Sequence, residues 1–302
     1  MGDVFVVGSI NMDVVAQAPR FPKPGETLFG TALSITPGGK GANQAVAARR
    51  SGATVRIYGA LGKDSFGDTL IAFLAREGID ASDVSRVQGS SGTAIIVVDA
   101  SGENSIVAIP AANNMVGPSF LRDIKLSPTD VVLLQNEIPE QTNRAAVSAS
   151  IDSGATTILN MAPFKKSDDT YVDKATYIVL NETEFAQLIA EPVLAMTPGR
   201  VAGLLAEGAG PATNLVVTLG AEGLQARING SVLAFSGHKV EPIDSTGAGD
   251  CFCGAFGAAL ASGRSPKDAL AWANGAAALS VATLGAGPSM PTAAQVEAFL
   301  RS

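Results

Sequence analysis

Short runs of apolar and β-branched residues alternate with helical stretches along most of this chain, and this alternation limits the folds it can adopt. The runs that read as buried strands are VFVVG (4–8), TVRIYGA (54–60), VVLLQ (131–135), TTILN (156–160), YIVLN (177–181) and LVVTLG (215–220). The helical stretches between them cover residues 40–52, 65–78, 142–154 and 182–190, and the chain after residue 248 is mostly helical. Nearly continuous apolar runs are typical of parallel strands that helices cover on both faces. The repeated strand–helix units therefore predict an α/β fold, with a doubly wound, mostly parallel sheet flanked by helices.

Two stretches break this alternation. Residues 13–36 and 92–109 look like strand pairs without helices, and the second pair turns at residues 100–103. Together they predict a small antiparallel β-sheet that projects from a single α/β domain of residues 1–302. Both stretches lie near strand ends, where ligands bind in folds of this class. The small sheet is therefore interpreted as a lid, and an ordinary extension of the sheet edge is the alternative.

Charge and cysteine content argue against several classes of function. The net charge of −7 at pH 7 argues against nucleic acid as a partner, because phosphate backbones are bound by basic surfaces. Cys251 and Cys253 are too close for an ordinary disulfide and too few for a zinc site. No apolar run reaches the ~20 residues that a membrane helix needs, and the start of the chain, with Asp3 and no basic residue before it, does not read as a signal peptide. We expect a soluble, cytoplasmic protein without a membrane partner.

Several common catalytic motifs do not occur in the sequence. It has neither a G-x-x-x-x-G-K-[ST] phosphate loop nor a G-x-G-x-x-G after the first strand. His238 is the only histidine, so a Ser-His-Asp triad would have to be built on that residue.

The stretch DSTGAGD (244–250) is the strongest candidate for a reaction centre. Its glycines allow successive backbone N–H groups to form an anion-binding nest, and the helix that starts there adds its positive N-terminal end. Such a site suits the charge that develops on a phosphoryl group during transfer. Asp250, in the first helical turn, would stand beside the anion and could accept a proton from an attacking hydroxyl. A plain helix start with an acid in its first turn is the alternative.

Further polar residues follow the ends of strands. Asn11 and Asp13 come after the first strand, and Glu137 comes just after the strand at 131–135. Lys40 and Asn43 lie at a Gly-rich helix start. Carboxylate and amide groups suit a polyhydroxylated substrate, since each can pair with adjacent hydroxyls. Each of these residues could also be an ordinary turn or cap.

The segment NETE (181–184) has two interpretations. Asn181 as N-cap and Glu184 at the third helical position would form a near capping box, which is a purely structural role. The same polar pair could instead lie near a metal-bound triphosphate.

The chain resembles the ribokinase-like family of sugar and nucleoside kinases over nearly its whole length. The motifs that carry the resemblance, in the family's order, are GSINMD, GGKGANQAVAA, the lid-like hairpin, NETE, TLGAEG (218–223) and DSTGAGDCFCGAF. The last of these is the most specific. GGKGANQA, with its lysine, is more similar to the ribokinase branch than to the fructokinase or adenosine kinase branches.

The resemblance implies roles for individual residues. Asp250 would be the catalytic base, and Gly247, Ala248 and Gly249 would form the anion hole. The residues implied to hold the sugar are Asn11, Asp13, Gly39, Lys40, Asn43 and Glu137. Those implied to lie near the nucleotide and Mg²⁺ are Asn181, Glu184, Thr218, Gly220, Gly223 and, at the adenine, Asn274. Those that match a monovalent-cation site are Asp244, Thr246, Ser280, Thr283, Gly285 and Ser289.

The resemblance further implies an ATP-dependent sugar kinase, with Mg²⁺ and an activating K⁺, that phosphorylates the 5-hydroxyl of D-ribose. It also implies a homodimer formed through the lids, which would bury their edges. A kinase for deoxyribose, another sugar or a nucleoside remains an alternative, and so does a non-catalytic sugar or nucleotide binder. The presence of Asp250 argues against a binder, because binding alone has no need of it. PAANN (110–114) replaces a GAN-type run beside the sugar, which bears on substrate choice.

Overall fold

Strands and helices alternate along the chain as the apolar pattern predicts. The computed structural model describes residues 1–165, 171–211 and 213–301. The strands are β1 (Val4–Val7), β2 (Asn11–Gln17), β3 (Ala32–Gly38), β4 (Val55–Gly62), β5 (Val84–Val87), β6 (Gly92–Val98), β7 (Asn104–Ile109), β8 (Val131–Gln135), β9 (Thr156–Asn160), β10 (Tyr177–Asn181), β11 (Asn214–Thr218), β12 (Leu224–Ile228) and β13 (Ser231–Phe235). The helices are α1 (Lys40–Arg50), α2 (Ser65–Arg76), α3 (Glu140–Ser153), α4 (Glu182–Ile189), α5 (Pro198–Ala206), α6 (Ala248–Ala261), α7 (Pro266–Ser280) and α8 (Ala293–Arg301).

The larger sheet has its strands in the order β13-β12-β11-β10-β9-β8-β1-β4-β5. In this spatial order, all neighbouring strands between β11 and β5 pair in parallel, whereas β11–β12 and β12–β13 pair antiparallel. From β1 the chain continues to β4 and β5, then returns to β8 on the other side of β1 and proceeds outward to β11. The order therefore reverses between β1 and β8. In open α/β sheets, ligands bind at the carboxyl ends of the strands where the order reverses.

Alternate residues of the central strands pack into two hydrophobic cores, one on each face of the larger sheet. In β1, Val4 and Val6 pack with residues of α1, α2, α6, α7 and α8, whereas Phe5 and Val7 pack with residues of α3, α4 and α5. All of these β1 side chains are buried. Coverage of both faces explains why the strands read as unbroken apolar runs.

Helices α1 and α6 lie unusually close together. A Cβ at Gly254 of α6 would overlap the carbonyl oxygen of Gln44 and would lie 2.6 Å from the Cβ of Ala47, both in α1. The two backbones can approach this closely because Gly254 has no side chain. The contact brings the first turn of α6, which contains Asp250, beside the first turn of α1.

The predicted small sheet is confirmed, and it has four strands in the order β3-β2-β6-β7. The β2–β3 and β6–β7 pairs are antiparallel as expected, but the central β2–β6 pair is parallel. The reason is that β2 follows β1 and β6 follows β5, so both leave parallel strands of the larger sheet in the same direction. The second predicted segment, 92–109, matches β6 and β7, whereas the first extends to Asn11 and Gly38.

Some elements do not appear in the sequence prediction. Strands β5, β12 and β13 and helix α5 are new, and α3 begins at Glu140 instead of residue 142. In β12, Gln225 and Arg227 are buried with their apolar neighbours, so this strand lacks the apolar run of the others. In α5, Gly199 and Gly203 weaken the helical pattern.

Candidate active site

Asp250 lies where the first turns of α1 and α6 meet, and its side chain is only 6% exposed. The amide of Asn43 donates to Oδ2 of Asp250 at 3.0 Å, and the amide of Gln44 donates to Oδ1 at 3.1 Å. Two consecutive residues of α1 thus contact both carboxylate oxygens, which fixes the orientation of the carboxylate. Asn43, which the resemblance assigns to the sugar, is therefore also a partner of Asp250.

Asp13 projects from β2 over the glycines that precede α1. A Cβ at Gly38 would overlap the Asp13 carboxylate, and a Cβ at Gly39 would lie 2.7 Å from the backbone nitrogen of Asn11. Gly39 also has a φ of +89°, a conformation that favours glycine. The first two glycines of GGKGANQ therefore allow β2 to pass directly over the start of α1.

Four carboxyl groups and one ammonium group interact at this point. Burial raises the pKa of Asp13 to about 6, and the negative charges of Glu137 and Asp250 contribute to the rise. The pKa of Lys40 is also raised, chiefly by Asp250 and further by Glu137 and Glu184, although burial opposes the change. The cluster therefore stabilises a positive charge on Lys40 and disfavours a negative charge on Asp13.

Glu137 connects the ends of β1 and β8, the two strands at which the sheet order reverses. Its Oε2 accepts a hydrogen bond from the hydroxyl of Ser9 at 2.5 Å and another from the backbone N–H of Lys40 at 3.2 Å. Ser9 follows β1, and Lys40 begins α1. Glu137 is thereby held in place at the carboxyl ends of the strands, as the sequence predicts.

A cleft of about 170 Å³ opens beside Asp250. The predicted site residues that line it are Lys40, Asn181, Glu184, Thr218, Gly247, Ala248, Gly249 and Asp250. Asn160 and Ser245, which the sequence interpretation does not assign to the site, are also part of its wall. Lys40, which the resemblance assigns to the sugar, thus shares a cleft with the residues assigned to phosphate.

The start of α6 has the geometry of an anion-binding nest. Gly247 is in the left-handed conformation, with a φ of +78°, and the N–H of Ala248 donates to the carbonyl of Ser245. Within the described ranges, the N–H groups of Gly249 and Asp250 have no acceptor. Free N–H groups in a first turn and the helix dipole both favour a negatively charged ligand in the cleft.

The capping box predicted for NETE is present. Oδ1 of Asn181 accepts from the N–H of Glu184 at 2.8 Å, and Oε2 of Glu184 accepts from the N–H of Asn181 at 2.8 Å. Burial raises the pKa of Glu184, although the Asn181 hydrogen bond and the charge of Lys40 oppose the change. Because both residues also line the cleft, their structural role and a role near a ligand are compatible.

Asp244 joins the two segments that contain the predicted cation-site residues. The first loop comprises residues 244–246, and the second loop comprises residues 280–289. Its Oδ1 accepts from the N–H and hydroxyl of Thr246 at 2.9 and 2.6 Å, and its Oδ2 accepts from the N–H of Gly285 at 2.8 Å. Burial alone would raise the pKa of Asp244, but these hydrogen bonds outweigh it and lower the pKa. The other predicted residues of this site lie on or next to the second loop: Ser280, Thr283 and Ser289.

The second loop also contacts the anion nest and the far end of α1. A Cβ at Gly247 would lie 2.9 Å from the Cβ of Ala286, so this loop packs on the start of α6. Arg50, the last residue of α1, donates to the carbonyl oxygens of Pro288 at 3.1 Å and Met290 at 2.8 Å. The loop is thus held from two sides.

The residues assigned to the nucleotide border lie along the end of β11. Thr218 ends that strand, and Gly220 begins the 3₁₀ turn after it. A Cβ at Gly223 would collide with the backbone of residues 235–237, and the amide of Asn274 donates to the carbonyl of residue 236 at 2.9 Å. The turn and Asn274 therefore meet at residues 235–237, although of this group only Thr218 lines the cleft.

Known proteins resemble this chain over its whole length. The sequence profile described as the pfkB family carbohydrate kinase matches residues 1–293. The chain belongs to this family. Ribokinase from Bacillus subtilis is 38% identical over 307 residues, which cover 99% of this chain and all of that protein. Deoxyribokinase from Salmonella typhimurium is 33% identical and covers 99% of this chain and 98% of its own. A solved structure of Arabidopsis thaliana ribokinase with ribose and ATP superposes with a TM-score of 0.88, at 30% identity over all of both chains.

Family membership confirms the predicted enzyme class, an ATP-dependent sugar kinase, and the solved structure confirms the predicted fold. In the part of the kinase that the structure describes, we find no helix with the length and apolar character needed to cross a bilayer.

Cys251 and Cys253 are buried thiols that form no disulfide, and burial raises the pKa of Cys251 to about 12.

Sequence reasoning missed the buried polar residues that hold the predicted ones in place. In addition to Ser9 and Gln44, the kinase uses Asn113, whose Nδ2 donates to Oδ1 of Asn11 at 2.7 Å and whose Oδ1 accepts from the N–H of Ile10 at 3.0 Å. A polar side chain inside an apolar run, such as the glutamine of ANQAVAA, is the signal that could have revealed Gln44. Asn113 lies within PAANN, so its location beside the sugar is predicted but its partner is not.

The substitution Asp13→Asn is expected to stabilise the ligand-free kinase at pH 7.5. A carboxyl group with a pKa near 6 when folded and 3.8 when unfolded contributes stability below pH 3.8 and loses that contribution as the pH rises through 6. An amide has no charge to bury, so the free energy of unfolding should rise by up to about 3 kcal/mol at pH 7.5, at 1.36 kcal/mol per pKa unit. The gain should shrink at pH 5, and urea denaturation at both pH values measures it.

The matched control is Asp152→Asn, at an exposed position of α3. Surface substitutions of this kind usually change stability by less than about 0.5 kcal/mol. An Asp13→Asn protein with the same stability difference from the wild type at both pH values would show that burial does not perturb this carboxyl group.

Proposed function

We propose that this kinase transfers the γ-phosphoryl group of ATP to the 5-hydroxyl of D-ribose and releases ribose 5-phosphate and ADP. The observation that carries the proposal is the position of Asp250. Its buried carboxylate interacts with Asp13, lines the cleft and lies in the same helical turn as the free N–H groups at the start of α6. The names of the relatives support ribose as the sugar, because two of those described above are ribokinases.

Asp250 is the general base in this reaction. Its carboxylate accepts the proton of the 5-hydroxyl while the hydroxyl oxygen bonds to the γ-phosphorus and the bond from that phosphorus to the bridging oxygen of ADP breaks. Each carboxylate oxygen carries one amide hydrogen bond, which leaves lone pairs for the proton. The nest of Gly247, Ala248 and Gly249 stabilises the charge on the transferred phosphoryl group, chiefly through the N–H of Gly249 and that of the following Asp250, since the N–H of Ala248 already donates to Ser245.

The sugar site in this proposal consists of polar groups on β2, at the start of α1 and just after β8, and of these only Lys40 lines the cleft beside Asp250. Its members are Asn11, Asp13, Gly39, Lys40, Asn43 and Glu137. Asp13 is half-buried, and its carboxylate has no hydrogen-bond donor among residues 1–165, 171–211 and 213–301 that would offset the rise of its pKa by burial. Hydroxyl groups of a sugar would supply the missing donors, and polar groups at buried positions are normally satisfied. A half-buried acceptor without a donor favours a substrate with adjacent hydroxyls.

Mg²⁺ accompanies the nucleotide, with Asn181 and Glu184 near the phosphates. Among the described residues, no three acidic, histidine or cysteine side chains cluster into a complete metal site. This composition fits Mg²⁺, which is usually held by one or two carboxylates together with water and substrate phosphates. Oε2 of Glu184 is engaged in the capping box, so Oε1 is the oxygen available to the ion. Bound there, Mg²⁺ would neutralise charge on the β- and γ-phosphates.

The rest of the nucleotide lies along the end of β11 in this proposal. Thr218, Gly220 and Gly223 border it, and Asn274 lies near the adenine. The positive φ values of the two glycines, +54° and +90°, allow the backbone there to form a tight turn with no side chain over it.

The loops at Asp244 and Gly285 would hold an activating K⁺ ion between them. Its site comprises Asp244, Thr246, Ser280, Thr283, Gly285 and Ser289, largely through carbonyl oxygens left free near helix ends. The loops are already in contact through Asp244, and Ala286 packs on Gly247. An ion between them would fix the shape of the nest and so preorganise it for phosphoryl transfer.

The small sheet serves as a lid over the sugar and as the contact for a second copy of the chain. Adjacent residues of a strand point to opposite faces, so Val14 faces away from Asp13. Val14 lies in one row with Ile35, Ile95 and Val107, and the last three are exposed. A homodimer formed through this face would bury an apolar row and a sheet edge that would otherwise face water.

The cytoplasm is the proposed location, and the free thiols of Cys251 and Cys253 are compatible with a reducing compartment. Thiols stay reduced in that compartment.

D-ribose is expected to be the best substrate in a coupled ADP-release assay that also includes 2-deoxyribose, fructose and adenosine. The value of kcat/KM for ribose should exceed that for 2-deoxyribose at least ~10-fold, because loss of one hydroxyl leaves a buried polar group of the site without its partner. A preference for deoxyribose would support the alternative suggested by the deoxyribokinase relative. No ADP release with any of these compounds would contradict the proposed activity.

Asp250→Asn is expected to lower kcat by roughly 10²–10⁴-fold, the usual contribution of a general base. ATP affinity, measured by calorimetry, should stay the same because the amide has nearly the same size. Asp268→Asn is the matched control, since Asp268 also lies in the first turn of a helix but is outside the site. Near wild-type turnover in Asp250→Asn would remove this residue from the mechanism.

Potassium is expected to raise the initial rate several-fold over sodium, at fixed ionic strength and excess Mg²⁺. The reason is that a large, weakly hydrated ion fits a ring of carbonyl oxygens. The comparison uses Tris buffer with K⁺, Na⁺ or neither, and Asp244→Asn should reduce the response. Equal rates in all three buffers would refute the cation site and leave the base assignment intact.

A further inference from the structure

A chain of buried side-chain amides leads from the larger sheet to the carboxylate of Asp250. Gln135, the last residue of β8, donates from Nε2 to Oε1 of Gln44 at 2.8 Å, and Gln44 donates from Nε2 to Oδ1 of Asp250 at 3.1 Å. We propose that this amide relay, Gln135–Gln44–Asp250, positions the base, and that Gln44 is a positioning residue that sets kcat. The inference rests on the proposed function, in which Asp250 is the base.

The carboxylate determines the direction of every amide in the relay. An ionised carboxylate only accepts hydrogen bonds, so the Gln44 atom that faces it must be the amide nitrogen. Oε1 of Gln44 then faces Gln135, which must present its own nitrogen. Asn160 reinforces this direction, because its Oδ1 lies 3.3 Å from Nε2 of Gln44 while its Nδ2 donates to the carbonyl of Val179. A Gln44 amide turned by 180° would place its oxygen against both acceptors.

The relay leaves a polar atom without a partner. Within the described part of the chain, Oε1 of Gln135 is buried and has no hydrogen-bond partner. Such atoms are rare and costly, and an apolar side chain of the same size would avoid the cost. The rest of β8, Val131–Leu134, is apolar and fully packed. A glutamine at the end of this strand is explained if its function is to present a donor to Gln44.

Burial separates the role of Gln44 from that of its neighbour Asn43. Gln44 is 0% exposed and so has no surface available to a substrate, whereas Asn43 is 7% exposed at the edge of the site. Gln44 can therefore influence the reaction only through Asp250 and the residues packed around it. Its loss should reduce kcat and leave the KM values for sugar and ATP nearly unchanged.

Gln44→Met tests the relay, because methionine keeps the length of the side chain and removes the donor. We expect kcat with D-ribose to fall about 10- to 100-fold, the scale of a misplaced catalytic group, with both KM values within about twofold of the wild type. Gln135→Met should give a smaller fall in kcat, since Gln44 would remain. Gln225→Met is the matched control, because Gln225 is also buried with an unpartnered Oε1 but lies on β12, outside the relay. Its kcat should equal that of the wild type.

A double-mutant cycle with Asp250→Asn distinguishes positioning of the base from a general effect on the fold. If Gln44 acts through Asp250, adding Gln44→Met to Asp250→Asn should change the residual rate less than about twofold, since residues that act as a unit are not additive. Equal losses in both backgrounds would assign Gln44 a structural role and overturn the proposal. An unchanged kcat in Gln44→Met would also overturn it.

The outcome for Asp250→Asn separates this inference from the proposed function. If the single variant Asp250→Asn keeps the kcat of the wild type, the base assignment fails and the relay fails with it. If that variant loses its rate and Gln44→Met does not, only the relay fails. If Gln44→Met does not fold, as judged by circular dichroism, the same cycle is run with Gln135→Met. A fall in kcat that disappears in the Asp250→Asn background supports the relay. Equal falls in kcat in both backgrounds overturn it.

Discussion

The direct contact between α1 and α6 is the constraint on which the active site depends. The carboxylate of Asp250 comes from one helix, and the amides that hold it, Asn43 and Gln44, come from the other. The amides reach the carboxylate because Gly254 and Ala47 let the two backbones approach within the reach of short side chains. The same contact orients the start of α6 toward the cleft. Helix packing therefore positions both the proposed base and the start of α6 that is proposed to bind phosphate.

The small sheet contributes Asp13 to the proposed site, and it does so at a cost in stability. It places Asp13 over the glycines before α1, close to Glu137 and Asp250, where the negative charge of Asp13 is disfavoured. Glu137 is anchored by Ser9, and Lys40 offsets part of the accumulated charge. Proteins commonly accept such local instability where a ligand is bound, since the ligand supplies the missing partners.

Much of the fold follows from local sequence signals, and the exceptions have physical causes. The central strands were predictable because both of their faces are covered, which makes their apolar runs continuous. Strand β12 was not, because its buried Gln225 and Arg227 interrupt such a run.

In the site, the GAGD nest and the NETE capping box depend on neighbours in sequence, so their local geometry could be predicted. The roles of Gln44 and Asn113 could not be predicted, because their partners Asp250 and Asn11 lie 206 and 102 residues away. Contacts of this range leave no local pattern, and only the folded chain brings them together.

Helix α1 contacts the site at both of its ends. Its first turn carries Lys40, Asn43 and Gln44, while Arg50 at its last turn holds the carbonyl groups of the loop that packs on Gly247. The helix has 11 residues and thus spans about 16 Å. One inserted or deleted residue would rotate one end against the other by about 100° and shift it by about 1.5 Å. The number of residues in α1 is consequently as constrained as their identity, because this helix sets the distance between the amides that hold Asp250 and the loop that packs on Gly247.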